Sequence, residues 1–185
     1  MACTFRTASI NDIQEVLSLH ARYQVDTINE TDKKDGFITT AFTPEQLTAL
    51  ITKENGLFLA LQDDRIVAYA MAASWGFWSQ WPMFAHMIKG LPDLQYKTHV
   101  LSVDNSYQYG PICVDKSVRG SGVFEDLFEY ALAQMAVKYT VLVTFVNKIN
   151  PRSLAAHTQK AKLDVLQEFD YNNNHYYELV CLTHR

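Results

Sequence analysis

The sequence predicts an α/β or α+β fold in one domain, residues 1–185, with a mixed sheet that carries helices on its faces. A length of 185 residues is close to that of one ordinary domain. Apolar residues make up 48% of the chain and charged residues 19%, which is the balance of a globular protein with a substantial core. Strand-like and helical segments alternate in the second half, and short polar turns join two further strand pairs. Parallel and antiparallel pairing are therefore both expected.

The first half of the chain contains three strand-like and two helix-like segments. In order, they are a strand over 3–8, a helix capped by Asn11 and ending near 24, a polar loop over 26–40, a helix starting at Thr43-Pro44-Glu45 and ending near 53, and strands over 56–61 and 66–74. Pro44 suits the first helical turn because its ring fixes the backbone angle φ that a helix needs. The polar run 62–65 between the last two strands predicts a hairpin.

Residues 75–105 form an insert between two predicted strands and contain all three tryptophans of the chain, Trp75, Trp78 and Trp81. The segment 83–89 within the insert is helical in pattern. Two interpretations are open: the insert packs over the core, or it forms a lid on the acceptor side of a binding site. Exposed aromatic side chains in the insert would also suit the interface of a homodimer.

The second half predicts a regular succession of strands and helices. The elements are a strand over 107–114, a loop over 115–121, a helix from about 124, a strand over 140–147, a helix opening at Asn150-Pro151 and ending near 161, and a terminal hairpin of 165–171 and 175–182. The first helix is the clearest in the chain, because Phe124, Leu127, Phe128 and Ala131 recur at the spacing of one helical face.

Composition excludes several classes of protein. The net charge of −4 argues against a general nucleic-acid binder. The longest apolar run, 66–78, is shorter than the roughly 20 residues of a membrane helix, and no signal peptide is visible. Three scattered cysteines give no disulfide framework, and the histidines have no zinc-ligand spacing. A cytoplasmic protein without metal, membrane or nucleic-acid partners is expected.

Two of the seven glycines, Gly120 and Gly122, stand at a predicted junction between a strand and a helix. The start of a helix presents unpaired backbone N–H groups and a partial positive charge. Glycines just before that start allow a phosphate to approach these amides closely, and Arg119 adds a charged donor. The sequence therefore predicts an anion site at this junction.

The segment Arg119-Gly120-Ser121-Gly122, which follows Ile112-Cys113-Val114, resembles the acyl-CoA pyrophosphate loop of the GCN5-related N-acetyltransferases (GNATs). The pattern of that loop is Gln/Arg-x-x-Gly-x-Gly/Ala; Arg119 and Gly122 fill its first and fourth positions, and Phe124 departs from the sixth. Two further segments match in order. Phe5-Arg6-Thr7-Ala8 with Asp12 resembles the first strand and helix start, and Asn150-Pro151-Arg152-Ser153 with His157 resembles a later helix.

The resemblance implies a mixed, mostly antiparallel sheet flanked by helices, with a V-shaped splay between two strands that holds acetyl-CoA. It implies three sets of cofactor-binding residues: the backbone of Ile112, Cys113 and Val114 for the pantetheine amides, Arg119 with the amides of Gly120, Ser121, Gly122, Val123 and Phe124 for the pyrophosphate, and Asn150 with Ser153 for the pantetheine arm. Lys148 and Arg152 lie in a stretch, 140–163, that lacks acidic residues, and they suit either phosphates or a solvated face.

His157 stands where the family commonly has a catalytic tyrosine. The resemblance implies that it donates a proton to the departing thiolate; the alternative is a packed or solvated histidine without a catalytic role. The base is unassigned, with Glu54, Asp104 and Glu168 as candidates and Tyr109 as a weaker candidate for orienting groups. Cys113 fits a core thiol better than a covalent nucleophile, because it sits in an apolar strand.

The expected function is transfer of an acetyl group from acetyl-CoA to a primary amine by direct attack in a ternary complex. The acceptor amine, a small molecule or a peptide, is not specified by the sequence. A non-catalytic acyl-CoA sensor on the same fold is the alternative, favoured by Phe124 and by Ala161-Lys162, which replaces a usual Gly-Phe.

Overall fold

The computed structural model describes residues 2–185. The chain forms two compact units. The first contains the residues up to Ala72 together with Gly110–Ala131, and the second contains Ala73–Tyr109 with Leu132–Arg185. Each unit is therefore built from two stretches of chain.

The predicted order of elements is confirmed, with a few additional short pieces. The strands are β1 (Thr4–Thr7), β2 (Leu57–Gln62), β3 (Arg65–Ala73), β4 (Gln95–Tyr96), β5 (His99–Val100), β6 (Ser106–Val114), β7 (Val141–Asn147), β8 (Asp164–Tyr171) and β9 (Asn174–Leu182). The helices are α1 (Ile13–Tyr23), α2 (Glu30–Lys33), α3 (Pro44–Glu54), α4 (Trp75–Trp78), α5 (Pro82–Gly90), α6 (Val123–Met135) and α7 (Pro151–Ala155).

Seven strands form one mixed sheet in the order β1-β2-β3-β6-β7-β9-β8, and β4 pairs with β5 in a small separate hairpin. The pairing of β6 with β7 is parallel, whereas β1–β2, β2–β3, β7–β9 and β8–β9 are antiparallel. The predicted fold class, a mostly antiparallel sheet flanked by helices, is confirmed.

In the first unit, α1 begins differently from the prediction. Asn11 was expected to cap the helix, but Asn11 is exposed and lies inside a short 3₁₀ turn, Ile10–Asp12, whose cap is Ser9. The carboxylate of Asp12 accepts a hydrogen bond from the Ser9 amide over 2.7 Å and binds both terminal nitrogens of Arg6, at 2.7 and 2.9 Å. Ser9 and Asp12 thus form a capping box in place of the expected asparagine cap, and Arg6 of β1 pairs with the carboxylate of that box.

The remaining connections of the first unit follow their local sequence signals. Thr43 caps α3 by accepting from the Gln46 amide, and the Gln46 side chain accepts from the Thr43 amide in return. Asp63 and Asp64 adopt positive φ in the turn between β2 and β3, as a two-residue hairpin requires. The polar loop predicted over 26–40 contains one helical turn, α2, that was not expected.

In the second unit, the insert is anchored by its tryptophans. Trp75 and Trp78 are fully buried, and their indole N–H groups donate to Ser106 Oγ over 3.0 Å and to the Gln108 carbonyl over 3.1 Å. The ring of Phe84 on α5 packs edge-on against Phe145 of β7 at 5.7 Å between centroids. The insert therefore packs against the strands of this unit, and a role as a lid stays a prediction.

The C-terminal part of the second unit ends in the predicted hairpin of β8 and β9. Asn172 and Asn173 turn the chain with positive φ, which asparagine tolerates well. The helix expected from Asn150 to about 161 is α-helical only to Ala155 and continues as a π-helical turn, Ala156–Lys160. Within residues 2–185, no helix has the length and apolar character needed to cross a bilayer.

Candidate functional site

The glycine pair lies in the first unit, between β6 and α6. Gly120 has φ +77° and Gly122 φ +89°, a backbone region that side chains with a Cβ rarely adopt. A Cβ built on either glycine would have no atom within 4 Å other than those of the adjacent residues, so the space above the loop is open. The loop conformation thus requires glycine at both positions and leaves room for a bound group.

The backbone amides at this junction suit an anion. Helix α6 begins at Val123, and the Asp126 amide donates to the Gly122 carbonyl over 3.0 Å. The amides of the first turn, including Val123 and Phe124, precede the intrahelical ladder. They lie at the positive end of the helix dipole, where phosphate groups bind readily.

Arg119 is held at the entrance to this loop by two contacts. Its Nε donates to the Val114 carbonyl over 3.1 Å, and its guanidinium carbon lies 5.0 Å from the centre of the Tyr23 ring. A cation over an aromatic face is attracted by the π electrons of the ring. The charge is therefore fixed beside the loop by α1 and by the end of β6.

The same tyrosine ties α1 to the loop through Asp115. The Tyr23 hydroxyl donates to Asp115 Oδ1 over 2.6 Å and accepts from the Lys116 amide over 2.8 Å. Arg22 also reaches Asp115 Oδ1, at 3.2 Å, and the Ser117 hydroxyl donates to the other carboxylate oxygen. These contacts fix the first residues of the strand-to-helix connection.

The charge state of this network is defined by its hydrogen bonds. Burial alone would raise the pKa of Asp115, but the donors Ser117 and Tyr23 and the nearby Arg22 hold it below the ordinary value. Burial, followed by the bond to Asp115, raises the pKa of Tyr23 to about 12. Asp115 is therefore a carboxylate and Tyr23 a neutral phenol at pH 7.

The three residues expected to face the pantetheine form the end of β6. Cys113 is buried, and burial raises the pKa of its thiol to about 12. This supports the interpretation of Cys113 as a core thiol, since a nucleophilic cysteine needs a lowered pKa. Ile112 and Val114 are partly exposed, and the carbonyl of Val114 accepts from Arg119.

In the second unit, the start of β6 runs parallel to β7. Ser106–Gln108 pair with Val141–Val143 through the backbone. At the next position of the two strands, the side-chain hydroxyl of Thr144 donates a hydrogen bond to the Tyr109 carbonyl over 2.7 Å.

Asn150 caps α7, and Ser153 lies in the first turn of that helix. The side-chain oxygen of Asn150 accepts from the Ser153 amide over 3.2 Å, and Pro151 occupies the first helical position. The sequence signal that suggested cofactor contacts is therefore also a helix start. Among residues 2–185, no group of three or more His, Cys, Asp and Glu side chains is placed to hold a metal ion.

His157 lies one turn after Ser153 and is 6% exposed. Its Nδ1 is 2.7 Å from the Ser153 carbonyl, which can only accept, so the proton of the neutral ring resides on Nδ1. Burial lowers the pKa of His157, and the bond to Ser153 offsets this only in part. The ring packs edge-on against Tyr109 at 6.5 Å between centroids.

The acidic residues proposed as bases differ in surroundings. Glu168 is exposed and forms an ion pair with Lys148 at 2.8 Å, and Lys148 also lies over the ring of Tyr177. Asp104 is exposed in the insert, and Glu54 ends α3 in the first unit. Lys148, expected to contribute to a phosphate site or a solvated face, is thus engaged by a carboxylate.

Sequence reasoning missed Tyr23 and Asp115. Tyr23 and Asp115 are 92 positions apart, so their contact leaves no local signal.

The fold was compared with known proteins. No family model and no curated protein matches the sequence. Among solved structures, an N-acetyltransferase from Staphylococcus aureus has 18% sequence identity and a TM-score of 0.62, over 99% of each chain. The acetyltransferase of the GNAT family from Streptococcus pneumoniae has 15% identity and a TM-score of 0.64, over 98% of this chain and 99% of that one.

A GNAT superfamily phosphinothricin acetyltransferase from Sinorhizobium meliloti, solved in complex with acetyl-CoA, has 13% identity and a TM-score of 0.64, over 98% of this chain and 89% of that one. The three likenesses extend over nearly the whole chain. The protein therefore has the fold of the GCN5-related N-acetyltransferases.

Proposed function

We propose that the protein transfers an acetyl group from acetyl-CoA to a primary amine by direct attack in a ternary complex. The observation that carries the proposal is the glycine loop on this fold: Gly120 and Gly122 at positive φ, open space above them, and the start of a long helix directly behind. This is the geometry that a diphosphate needs in order to reach backbone amides.

The residues assigned to the diphosphate are Arg119 and the amides of the loop. Arg119 supplies positive charge, and its fixed position reduces the entropy lost on binding. The backbone of Ile112, Cys113 and Val114 is assigned to the pantetheine amides, and Asn150 with Ser153 to the pantetheine arm. These assignments rest on the resemblance described above and on the partial exposure of Ile112 and Val114.

The reaction requires two proton transfers. The attacking amine loses a proton, and the departing thiolate, with a pKa of about 8.5 for an ordinary thiol, gains one. We assign the protonation of the departing thiolate to His157. Because Nδ1 is occupied by the Ser153 carbonyl, the proton is exchanged at Nε2, and a proton is donated from there only by the imidazolium form.

The test is a thiol-release assay with acetyl-CoA and a panel of primary amines: a polyamine, amino acids and a peptide with a free N-terminus. The proposal predicts that CoA thiol appears only when both acetyl-CoA and an accepted amine are present. Release of thiol without any amine would indicate hydrolysis and would contradict direct transfer.

A non-catalytic acyl-CoA sensor is the second candidate. Phe124 at the sixth loop position and Ala161-Lys162 after α7 are the departures from the family pattern that favour it. Saturable binding of acetyl-CoA with no thiol release across the panel would support the sensor. We also propose a cytoplasmic location, which is supported by the lack of a disulfide among Cys3, Cys113 and Cys181.

A further inference from the structure

Three buried side chains of the first unit form a hydrogen-bonded chain that the proposed reaction does not use. His20 of α1, Tyr69 of β3 and Cys113 of β6 are 5%, 0% and 3% exposed. His20 Nδ1 lies 2.6 Å from the Tyr69 hydroxyl oxygen, and the same hydroxyl is hydrogen-bonded to the Cys113 thiol. The chain therefore connects α1 with the strand that leads into the glycine loop.

The proton positions in this chain follow from the strength of the acceptors. An imidazole nitrogen is a stronger acceptor than a thiol, and the Tyr69 hydroxyl has one proton to donate. With a neutral His20, the hydroxyl thus donates to Nδ1 and accepts from Cys113. A protonated His20 has an N–H at Nδ1, so it must donate to Tyr69, and Tyr69 turns its proton towards Cys113. One proton on His20 therefore reverses both bonds.

The surroundings of His20 favour its neutral form. The ring of Phe42, from the loop before α3, packs edge-on against the imidazole at 5.4 Å between centroids. Burial lowers the pKa of His20, and the backbone of Thr40 opposes this only in part. The titratable groups that face the ring are Tyr69 and, beyond it, Cys113, and both are neutral at pH 7.

Among residues 2–185, no ionised side chain contributes to the pKa of His20. The charged residues of α1 closest to it along the chain are exposed and bind elsewhere: Glu15 accepts from the Ile66 amide, and Arg22 pairs with Asp115. Helix α3, which packs against α1, has its charged side chains at least partly exposed; they are Glu45, Lys53 and Glu54. A proton on His20 would thus be a buried charge without a counter-ion, which is costly.

His20 lies in the part of α1 that positions the glycine loop. Its carbonyl accepts from the Gln24 amide over 2.9 Å and closes the last turn of the helix, which carries Tyr23. The loop that covers the imidazole is bonded to the same turn, because the Ile38 amide donates to the Tyr23 carbonyl over 2.8 Å. A charged His20 gains water only if this turn or this loop moves. Either movement displaces Tyr23, whose hydroxyl holds Asp115.

We propose that His20 is a pH-sensitive switch for the glycine loop. Its neutral ring, bonded to Tyr69, keeps the last turn of α1 closed and Tyr23 on Asp115, whereas a proton on the ring opens this turn and releases the loop. Acetyl-CoA binding is then weakened at acid pH. This last consequence rests on the proposed function; the opening of the turn does not, because it is measured without ligand.

The first experiment follows amide hydrogen exchange in the whole protein without acetyl-CoA, from about pH 7.5 to about pH 5. It reads the amides of Gln24 and Lys116, which donate to the His20 carbonyl and to the Tyr23 hydroxyl. Their protection is expected to fall below about pH 6.5, where a hydrated histidine takes up a proton, by up to about tenfold per pH unit until the lowered pKa of His20 is reached. The Thr183 amide, bonded within the other unit, is the internal control. Absence of a fall relative to Thr183 overturns the proposal.

The variant His20→Asn keeps an acceptor oxygen for Tyr69 and takes up no proton in this range, so the pH dependence of the Lys116 amide should disappear. The melting temperature checks the fold, and His20→Gln replaces this variant if it does not fold. His175→Asn, at an exposed histidine of the β8–β9 hairpin, is the matched control and should keep the dependence. A dependence that persists in the folded His20 variant overturns the assignment.

The second experiment measures the Kd for acetyl-CoA by calorimetry at both ends of the pH range. Phosphate monoesters have a second pKa of about 6, so the ligand titrates as well, and the comparison is therefore between proteins. The Kd of the wild type should rise at least about threefold more than that of the His20 variant, because only the closed form binds. An equal rise overturns the control of binding. Absence of binding at every pH would refute the proposed function, and the exchange experiment would still decide whether His20 opens the turn.

Discussion

The hydroxyl of Tyr23 donates to Asp115 Oδ1 over 2.6 Å, which ties the end of α1 to the residue that opens the glycine loop. The same oxygen of Tyr23 accepts a hydrogen bond from the Lys116 amide, and the Arg119 guanidinium lies over the Tyr23 ring. One side chain therefore positions both the backbone and the cation of the proposed pyrophosphate site.

The Tyr23→Phe variant tests this role. It keeps the ring under Arg119 but leaves Asp115 and the Lys116 amide without the hydroxyl, at a cost of about 1–2 kcal/mol in unfolding free energy. Because the loop is no longer held, the Kd for acetyl-CoA should rise about three- to tenfold, measured by calorimetric titration. Tyr96→Phe is the matched control, since the Tyr96 hydroxyl also donates to a carboxylate, that of Asp164, in the other unit. It should lose stability while keeping its Kd; an equal Kd effect in both variants would argue against a specific role of Tyr23.

The Gly122→Ala variant tests the loop conformation. Alanine at φ +89° is strained by about 1–2 kcal/mol, and relief of that strain moves the amides that would hold the diphosphate. The Kd for acetyl-CoA is expected to rise about tenfold or more. Gly36→Ala introduces the same type of strain at φ +103° in a different loop of the same unit. Its expected result is a lower melting temperature with little change in Kd, and a wild-type Kd for Gly122→Ala would remove the loop from the site.

His157→Phe should lower kcat by a factor of about 10²–10⁴ if His157 is the acid. Since burial lowers the pKa of His157, the donating form is lost as the pH rises through that lowered value, so kcat of the wild type should decrease over the same range. The measurement is kcat against pH for both proteins, with acetyl-CoA binding as the check on folding. A change in kcat of less than threefold would exclude the role, and a rise of kcat with pH that is present in the wild type and absent in His157→Phe would assign His157 to proton acceptance.

Asp12→Asn tests the start of α1. The hydrogen bonds and charge of Arg6, together with the Ser9 amide, lower the pKa of Asp12 from 3.8 to about 2 although burial opposes them. A carboxyl group with a lowered folded-state pKa stabilises the protein above its unfolded pKa, and this stabilisation disappears as the pH falls from about 4 to about 2. Arg6 is 44% exposed, so solvent screening limits the loss in Asp12→Asn to about 1–2 kcal/mol at pH 7.

Chemical unfolding at pH 7 and at low pH measures this prediction. The difference between wild type and Asp12→Asn should shrink on acidification, because both proteins then lack the charge. Asp104→Asn, at an exposed position, provides the reference in which no such difference is expected. A difference that does not change with pH would mean that Asp12 stabilises the helix by its shape alone.

Local signals in the sequence were sufficient for most of the fold. Asp63-Asp64 and Asn172-Asn173 predicted two hairpins because these residues tolerate positive φ, and Thr43-Pro44 predicted the start of α3. The start of α1 was predicted wrongly because Asn11 does not cap it; Ser9 and Asp12, three positions apart, form a capping box instead. That pattern is local and is visible in the sequence; the ion pair of Asp12 with Arg6 is the part that comes from another element, β1.

The residues of the candidate site were also only partly predictable from the sequence. Gly120 and Gly122 could be found from the sequence, because a glycine pair before an amphipathic helix is a local pattern. Tyr23 and Asp115 could not, since their contact joins distant parts of the chain.

The measurement that tests the central claim most directly is calorimetric titration of the wild-type protein with acetyl-CoA, followed by addition of the amine panel. Saturable binding at one site per chain, weakened in Gly122→Ala and not in Gly36→Ala, with thiol release on addition of an amine, is the predicted result. Absence of acetyl-CoA binding by the folded wild-type protein would contradict both the transferase and the sensor.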